Sequence, residues 1–360
     1  MHFCLTIVSA IALLQVESGQ TPASTQAAID PAILEKAKAI VAEYTPQKMV
    51  WVEGFKNGLR VSGITLPEES DGAPQGGMTV RVSLPPWFES DRLLGTVTLN
   101  KPLTIRLLWS IDPTPQPSPR NGAYAVRLAQ HDGYARLLQP NPVNVDTAGL
   151  NYGDVFWTDH TLPPMNVSPA GLYNVIVSNN TSPTQNIPLG QVLVPPVPEP
   201  QPEVVEKLKT LYPQGEVLSS DHVVLSRWFG IAVPNPKPGF QARSIVIISS
   251  ADWIEELPNE TVIAEVTVKD SAGKSLKRNL RLGKETASTW YNYHVRGNLQ
   301  HEMAPVAWSW EQNVETVNFE ANVYTGQFEL EEGFGPLQSV EVTYAAESGL
   351  LRIRGMAMLP

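Results

Sequence analysis

The chain has 360 residues, of which 42% are hydrophobic and 17% charged; this balance excludes a disordered protein, and the length suffices for two domains. The formal net charge is -10 and no block of lysine and arginine occurs, which excludes nucleic acid as a main partner and disfavours an anionic membrane surface. The 32 prolines and 25 glycines interrupt the chain too often for long helices and indicate short strands with many turns.

The N-terminus carries an apolar run, residues 1–14, which turns polar at Gln15. The run is too short to span a bilayer and fits a secretory signal, so residues 1–19 are predicted to be a signal segment. The protein is then expected to be exported to the periplasm, the cell surface or the medium. Because no Lys or Arg precedes the run, a misassigned start or an amphipathic helix remains an alternative. No later segment predicts a transmembrane span in the mature chain.

The only cysteine, Cys4, lies inside this segment. The mature chain is therefore expected to contain neither a disulfide nor a thiol nucleophile.

Residues 20–46 are predicted to be a polar leader followed by an amphipathic helix. Asp30 and Pro31 are typical of a helix N-cap and first helical position. Apolar residues then recur at helical spacing: Ile33, Leu34, Ala37, Ile40, Val41 and Tyr44. This stripe favours packing against the first domain, with docking onto a partner as the alternative.

From Met49 the hydrophobic period changes to two, as in strands that have one face in water. Residues 47–194 contain such segments at 49–52, 59–64, 79–84, 95–99, 103–109, 123–128, 155–157, 173–177 and 190–194. Turn residues separate them and no helices are interleaved. The pattern therefore predicts an antiparallel β-sandwich and not a parallel sheet.

A proline-rich stretch, residues 194–202, marks the predicted domain boundary, because repeated proline favours an extended spacer. A ligand for proline-reading domains is the alternative, and residues 195–212 are predicted to be the linker plus a short helix. Residues 213–360 alternate again, at 244–249, 262–268, 276–282, 290–295, 306–310, 317–323, 340–344 and 350–358. A hairpin turn is expected at 269–274, with a positive φ at Gly273. The spacing predicts a second sandwich or jelly roll.

Three segments of this second domain, 262–270, 279–290 and 339–359, carry a family resemblance. The domain resembles the galactose-binding-like sandwiches that are appended to bacterial envelope proteins and to some polytopic glycosyltransferases. In that pattern a leucine-arginine-x-glycine run precedes an acidic-threonine-alanine segment and an aromatic residue. The matching positions here are Arg281, Gly283, Glu285, Thr286, Ala287 and Trp290, with Glu285 where the family usually carries Asp. Transferase activity is not implied, because the polytopic region and its acid motif are missing.

The first domain shows a fainter likeness, at residues 157–163 and 169–177, to the immunoglobulin-like sandwich that often precedes such a module. The expected fold class is therefore mainly β. It consists of two antiparallel β-sandwich domains, the first immunoglobulin-like and the second jelly-roll or galactose-binding-like, with a short N-terminal helix.

The densest group of functional side chains lies between residues 290 and 302. Trp and Tyr rings stack on sugar faces, while Arg, Asn and His supply directional hydrogen bonds. If this stretch is a strand, Trp290, Asn292 and His294 share one face, and the alternative is that one face is core and the other an ordinary exposed edge. The candidate ligand-binding residues are Trp290, Asn292, His294, Arg296, His301 and Trp308.

Two further groups have a structural interpretation. Trp308 and Trp310 share a strand face and form, with Trp253, either a platform or part of the sandwich core, of which the core is favoured. Arg281 and Glu285 are expected to form a structural polar pair beside the turn at Gly283.

Motifs for catalysis are missing from the sequence. It contains no Gly-x-Ser-x-Gly elbow, P-loop or dinucleotide fingerprint, so no catalytic residue is assigned. The six histidines are scattered without ligand spacing, and neither a metal nor another cofactor is expected.

These observations favour an exported, non-catalytic binding protein of the cell envelope that recognises a glycan or envelope polymer through the second sandwich. A structural or assembly subunit of an envelope protein complex is the second hypothesis, motivated by the N-terminal helix and the proline linker. A hydrolase with an unrecognised site is the third. The ligand, the partner and the oligomeric state are not indicated by the sequence.

Overall fold

A computed structural model describes residues 50–51, 59–65, 77–85, 88, 90–97, 101–111, 123–130, 141–144, 151, 153–164, 170–179, 185–294, 299–314 and 316–360, together with Glu35 and Lys38. The predicted signal segment and most of the predicted leader and helix lie outside these residues. Glu35 and Lys38 are helical and form an ion pair with an N–O distance of 2.9 Å.

The N-terminal half is built of strands with a short 3-10 turn at Ser90–Arg92. In chain order they are β1 (Val50–Trp51), β2 (Leu59–Thr65), β3 (Thr79–Val82), β4 (Leu93–Thr96), β5 (Leu103–Ile111), β6 (Ala123–Gln130), β7 (Asn141–Asn144), β8 (Val155–Leu162), β9 (Gly171–Asn179) and β10 (Gln185–Val194). They form two sheets, β1-β2-β5-β8 and β4-β10-β9-β6-β7. Trp109 and Tyr173 are fully buried in the core between them. One pairing departs from the antiparallel pattern, because β4 joins β10 in parallel.

The C-terminal half adds two short helices and the remaining strands. They are β11 (Glu199–Pro200), α1 (Pro202–Leu211), β12 (Glu216–Ser219), β13 (Asp221–Leu225), β14 (Phe229–Pro234), β15 (Ser244–Asp252), β16 (Val262–Asp270), β17 (Ser275–Arg281), α2 (Tyr291–His294), β18 (Val306–Val314), β19 (Val317–Glu329), β20 (Leu337–Tyr344) and β21 (Leu350–Leu359). One sheet has the order β11-β13-β21-β15-β19-β18, with β12 also on β21, and the other has the order β17-β16-β20-β14-β3. The protein is therefore mainly β and sandwich-like, as the hydrophobic alternation predicts.

One strand of the N-terminal half belongs to the second sandwich. β3 pairs with β14, with Val80 opposite Ile231. Leu172 and Leu193 of the first sandwich lie in the same buried cluster as Trp228 of the second. The two sandwiches are therefore joined by a shared strand and a shared apolar contact.

The proline-rich stretch is also built into the second sandwich. Pro196 and Pro198 are buried, and β11 pairs with β13 at the edge of the seven-stranded sheet. The stretch does not stand clear of the sandwich as an isolated spacer would.

Helix α1 covers part of the outer face of the seven-stranded sheet, the face turned away from the core between the sheets. Val204 and Leu208 of the helix are buried against this face. The contact requires Gly355 on β21, because a Cβ there would lie 3.0 Å from the Val204 side chain and 3.1 Å from that of Leu208. The hydroxyls of Tyr212 and Thr325 form a hydrogen bond of 2.6 Å at the end of the helix. With sheet on one side and helix on the other, β15 is buried along its whole length.

The hairpin between β16 and β17 has the turn expected from the sequence. The Asp270 carboxylate accepts hydrogen bonds from the backbone N–H groups of Ala272 and Lys274, at 2.9 and 2.8 Å. Gly273 has a φ of 85°, the left-handed conformation in which glycine carries no Cβ penalty. In the described ranges, no helix has the length and apolar character needed to cross a membrane.

Candidate functional site

Residues 290–294 do not form the strand predicted for them. Trp290 lies in a turn and Tyr291–His294 form the single-turn helix α2. The Ser288 hydroxyl accepts a hydrogen bond of 3.2 Å from the Trp290 N–H, and the Asn292 amide donates one of 2.9 Å to the Glu320 carbonyl. Such local side-chain to backbone bonds compete with strand pairing. The shared strand face predicted for Trp290, Asn292 and His294 is therefore wrong.

Helix α2 places three aromatic rings together at the surface. The Trp290 ring centre lies 5.3 Å from that of Phe319 on β19 and 6.1 Å from that of Tyr293. Tyr293 and Phe319 are 5.1 Å apart. All three side chains are half-buried, and their tilted and edge-on packing is the arrangement that aromatic rings prefer.

His301 lies on the opposite side of α2. It is 5% exposed, and its Nε2 accepts a hydrogen bond of 3.3 Å from the Ser288 N–H. Tyr324 supports the same turn, because its hydroxyl donates a hydrogen bond of 2.7 Å to the Ser288 carbonyl. Burial lowers the pKa of His301 and keeps its ring neutral. The structure therefore separates His301 from the aromatic rings. The His294 side chain and all of Arg296 lie outside the described residues.

Trp308 and Trp310 lie on the outer face of the seven-stranded sheet and not in the sandwich core favoured for them. They pack in the cluster that surrounds α1, whereas the core between the sheets is a separate cluster. Their register partners on β19 are Val323 and Ala321, and Val323 belongs to the cluster around α1, so the two tryptophans share the face that the helix covers. Trp253 is not with them: it follows β15 in a turn, is 46% exposed and has a φ of 54°.

The strand register brings the aromatic residues into one row. Trp308 is paired with Val323, Trp310 with Ala321, and Gln312 with Phe319. Cross-strand partners share a sheet face, so the two tryptophans and Phe319 lie on the same face. Trp290 and Tyr293 pack against Phe319, so five rings are associated with this face, and we call them the outer strip: Trp308, Trp310, Phe319, Trp290 and Tyr293.

Cations lie over the strip. The Lys207 ammonium of α1 is 4.8 Å from the ring centre of Trp308, and the Arg354 guanidinium of β21 is 5.2 Å from that of Trp310. Both distances suit a cation–π interaction.

Beside the strip lies a group of polar side chains that are not among the candidate residues predicted from the sequence. Arg352 forms an ion pair with Asp252, and Ser250 is the register partner of Arg352 on β15. His222 on the neighbouring strand β13 and Arg354 on β21 complete this group. We call these residues the basic cluster: His222, Ser250, Asp252, Arg352 and Arg354. The signal in the sequence is the pair Arg352 and Arg354, two arginines at a spacing of two in an otherwise apolar strand.

Electrostatics within the basic cluster are unfavourable for a further positive charge. Burial and the nearby charges of Arg354 and Arg352 lower the pKa of His222 to about 4, and Asp252 opposes this only in part. Burial and the charge of Arg352 also lower the pKa of Arg354. Four buried atoms of the cluster have no hydrogen-bond partner: the Arg354 Nε, the His222 Nε2, the Ser250 Oγ and the Asp252 Oδ1.

Arg281 and Glu285 form a bidentate ion pair at the end of β17. The Arg281 Nη2 and Nε lie 2.6 and 3.1 Å from the two carboxylate oxygens, and the Arg281 backbone N–H donates a further bond of 2.9 Å. The pKa of Arg281 is raised, chiefly by the hydrogen bond to Glu285. Gly283 between them has a φ of 73°. The pair closes a turn and lies on the other sheet from the basic cluster.

A pocket of about 380 Å³ lies where Ser83 and Pro85 meet the second sandwich. Its wall includes Arg227, which donates a hydrogen bond of 3.3 Å to the Glu347 carbonyl. Across the part of the chain that the structure describes, no group of three or more His, Cys, Asp or Glu side chains is placed to hold a metal ion.

The sequence matches no known protein-family profile and no curated protein. Among solved structures it is similar to tripeptidyl peptidase 2, at 10% identity and a TM-score of 0.22, covering 90% of this chain and 21% of that chain. A structure of carbohydrate-binding modules of the β-sandwich superfamily has 8% identity and a TM-score of 0.16, with 79% of this chain and 98% of that chain covered. The FN1–FN3 domains of chicken CNTN1 have 12% identity and a TM-score of 0.17, with 72% and 64% covered. At these scores the similarities identify no relative of the chain.

Proposed function

We propose that this chain is an exported, non-catalytic protein that binds a polysaccharide on the outer face of its second sandwich. The observation that carries the proposal is the outer strip. Its rings are half-buried and arranged in a row on one sheet face. Half-exposed indole and phenol rings provide the flat apolar surface on which the C–H face of a sugar stacks.

The length of the strip favours a polymer over a single sugar. Trp308 and the position of Phe319 are four residues apart along the paired strands, which corresponds to about 13 Å at the rise of a β-strand. Trp290 extends the surface by another ring beyond Phe319. An extended chain of several sugar units uses a surface of this kind, whereas a monosaccharide needs an enclosed pocket.

The adjacent polar groups can fix the orientation of a bound ligand by hydrogen bonds. Arg352 and Arg354 are half-buried and are hydrogen-bond donors only, whereas the Ser250 hydroxyl between them and the strip is fully buried. Hydrogen bonds of this type fix the orientation of hydroxyl-rich ligands, while the rings supply contact area. The basic cluster and the strip meet at Trp310, so one ligand reaches both.

A binding role is proposed without a reaction, because the basic cluster contains one carboxylate, Asp252. This carboxylate forms an ion pair with Arg352. Glycoside hydrolysis requires two carboxyl groups that face each other across the bond to be cleaved. Export is part of the proposal on the ground of the apolar N-terminal run.

The test is affinity gel electrophoresis of the full chain in gels that contain soluble polysaccharides, followed by calorimetry with any polymer that retards it. Trp290→Ala and Trp310→Ala are expected to abolish retardation, because each removes a ring of the strip. Trp253→Ala is the matched control, since it removes an exposed tryptophan outside the strip. Melting curves establish that the variants are folded. Unchanged retardation in both strip variants, or none with any polymer, contradicts the proposal.

A structural or assembly subunit is the second proposed function, and Trp253 favours it. A bulky residue at a φ of 54° is strained, and strained residues cluster at functional sites. Its exposed ring suits a protein contact. Co-purification from native membranes with the Trp253→Ala variant tests this: loss of a partner supports it, and recovery of the wild type as a free monomer opposes it.

A further inference from the structure

We infer that the basic cluster selects an acidic polysaccharide, one that carries carboxylate or sulfate groups along its chain. This inference rests on the proposed function, because it concerns the same outer face and names the ligand class. Its basis is Arg354, which forms no hydrogen bond or ion pair with another described residue and carries a buried, unbonded Nε.

The ion pairing leaves one cation without an ion-pair partner of its own, because Asp252 contacts Arg352 and acts on Arg354 only at longer range. Asp252 is engaged by Arg352, and within the described residues no hydrogen bond or ion pair is formed by Arg354. Its contact is with the Trp310 ring, and its Nε is buried and unbonded. A half-buried charge without a hydrogen-bonded partner is unfavourable. An anionic group of a ligand supplies the hydrogen-bonded partner that Arg354 lacks, whereas a neutral sugar supplies no counter-charge.

The surrounding groups are chemically matched to an anion. The guanidinium presents a planar fork that fits carboxylate and sulfate oxygens. In the same cluster the Ser250 hydroxyl, the His222 Nε2 and the Asp252 Oδ1 are also buried and unbonded, so the half-buried guanidinium is the group that meets a ligand. The charges that face the cluster are therefore Arg352, Arg354 and Asp252, with Glu199 as the exposed register partner of His222 on the edge strand.

The net charge of the chain opposes the binding of an acidic polymer anywhere except at a local positive site. The chain carries a formal net charge of -10, so general electrostatic attraction to an acidic polymer is unfavourable. Binding of such a polymer must come from a local site. The strip and the basic cluster meet at Trp310, where the guanidinium lies over the ring, so an acidic sugar bound along the strip can bring its anionic group to the guanidinium.

The experiment compares acidic polymers with their neutral counterparts, using affinity gels and calorimetry on the full chain. The probes are alginate and polygalacturonate against their carboxyl-reduced forms, and dextran sulfate against dextran. We expect retention of at least one acidic polymer, weakened roughly tenfold or more in its neutral form, because a charge-assisted hydrogen bond contributes about 1.5–3 kcal/mol. Retention of the carboxylated or of the sulfated polymer identifies which group is bound.

Three variants locate the effect. Arg354→Gln should weaken acidic binding to the level of the neutral polymer, and Arg354→Lys should restore only part of it, because the ammonium lacks the planar fork. Lys277→Gln makes the same change in net charge on the other sheet and should have no effect. If acidic and neutral polymers bind equally, or Arg354→Gln binds as wild type while Trp290→Ala does not, this inference fails and the polysaccharide proposal stands. Failure of every polymer to bind overturns both.

Discussion

The guanidinium of Arg354 on β21 lies 5.2 Å from the ring centre of Trp310 on β18, although β15 and β19 run between these two strands. Three strand spacings amount to about 14 Å, so both side chains must extend across the sheet to meet. The small side chains of Ser250 and Ala321 on the intervening strands permit this. The contact joins the outer strip and the basic cluster into one surface.

Removal of the Trp310 ring should therefore destabilise the second sandwich as well as affect binding. We expect Trp310→Ala to lower the free energy of unfolding by about 2 kcal/mol, from lost packing on a half-buried ring and the lost cation–π contact. Trp310→Phe retains a ring for Arg354 and should lose less than half of this. Urea unfolding followed by fluorescence measures the difference. Equal losses in the two variants would show that the ring–guanidinium contact contributes nothing.

The two glycine turns of the second sandwich provide a matched pair. Gly283 and Gly273 both have a positive φ, at 73° and 85°. A Cβ on Gly283 would overlap the Asn259 side-chain oxygen, which accepts the Glu302 N–H, whereas no described atom lies within 4 Å of a Cβ on Gly273. Gly273→Ala should lower the free energy of unfolding by about 1 kcal/mol, which is the cost of a positive φ for alanine. Gly283→Ala has this cost and the steric overlap as well, and should lower the free energy of unfolding by about 2–3 kcal/mol. Thermal and urea unfolding of both variants measure this, and equal effects would contradict the steric argument.

Most of the long strands were predictable because their signal is local, whereas β7 and β11 to β14 were not predicted. β5, β15 and β21 begin at or within a few residues of the predicted positions, since alternating apolar residues need no distant partner to be recognised. Helix α2 was missed for a tertiary reason. Its aromatic residues have strand propensity, but the Asn292 bond to the Glu320 carbonyl, 28 residues away, holds the turn in place.

The aromatic part of the candidate site was predictable from hydrophobic alternation, whereas the basic cluster was not. The alternation of Trp308 and Trp310 placed them on one face, but only the position of α1, about 100 residues earlier in the chain, decides which face is covered. The basic cluster draws residues from β13, β15 and β21. No sequence window contains His222 and Arg354 together, so the unpaired guanidinium emerges only from the sheet order.

The ion pair of Arg281 and Glu285 should contribute far more to stability than the exposed pairs of the same sheet. The Glu285 side chain is 14% exposed and its carboxylate accepts three hydrogen bonds from Arg281. Glu285→Ala leaves the Arg281 N–H unbonded and the guanidinium with only the longer contact of 3.8 Å to Glu260, and we expect a loss of about 2 kcal/mol in the free energy of unfolding.

Glu265→Ala is the control for this measurement, because the Glu265 pair with Lys277 is exposed on both sides. Surface pairs contribute about 0–1 kcal/mol. The two variants should therefore differ by at least ~1 kcal/mol in chemical unfolding. Similar losses would indicate that the Glu285 pair is no stronger than a surface pair.

Acid should destabilise the protein through two histidines, His160, which is buried, and His222, which is half-buried. The pKa values of His160 and His222 are both lowered to about 4, in each case chiefly by burial, against about 6.5 in the unfolded chain. Between pH 4 and pH 6.5 the unfolded chain binds protons that the folded chain does not, so the free energy of unfolding rises with pH across this window and levels off above it. The loss on acidification should be between about 1 and 3 kcal/mol for each histidine.

Arg354 makes the His222 contribution separable from that of His160. After burial, the charge of Arg354 is the largest cause of the low pKa of His222, so Arg354→Gln should raise this pKa towards its ordinary value and leave that of His160 unchanged. NMR titration of the imidazole signals measures both in one sample, with His222→Asn for assignment. The Arg354→Gln variant should then lose less stability between pH 7 and pH 5 than the wild type. A His222 titration that does not respond to Arg354→Gln would mean that the two side chains do not face each other across β13 and β21, and the basic cluster would not exist as a unit.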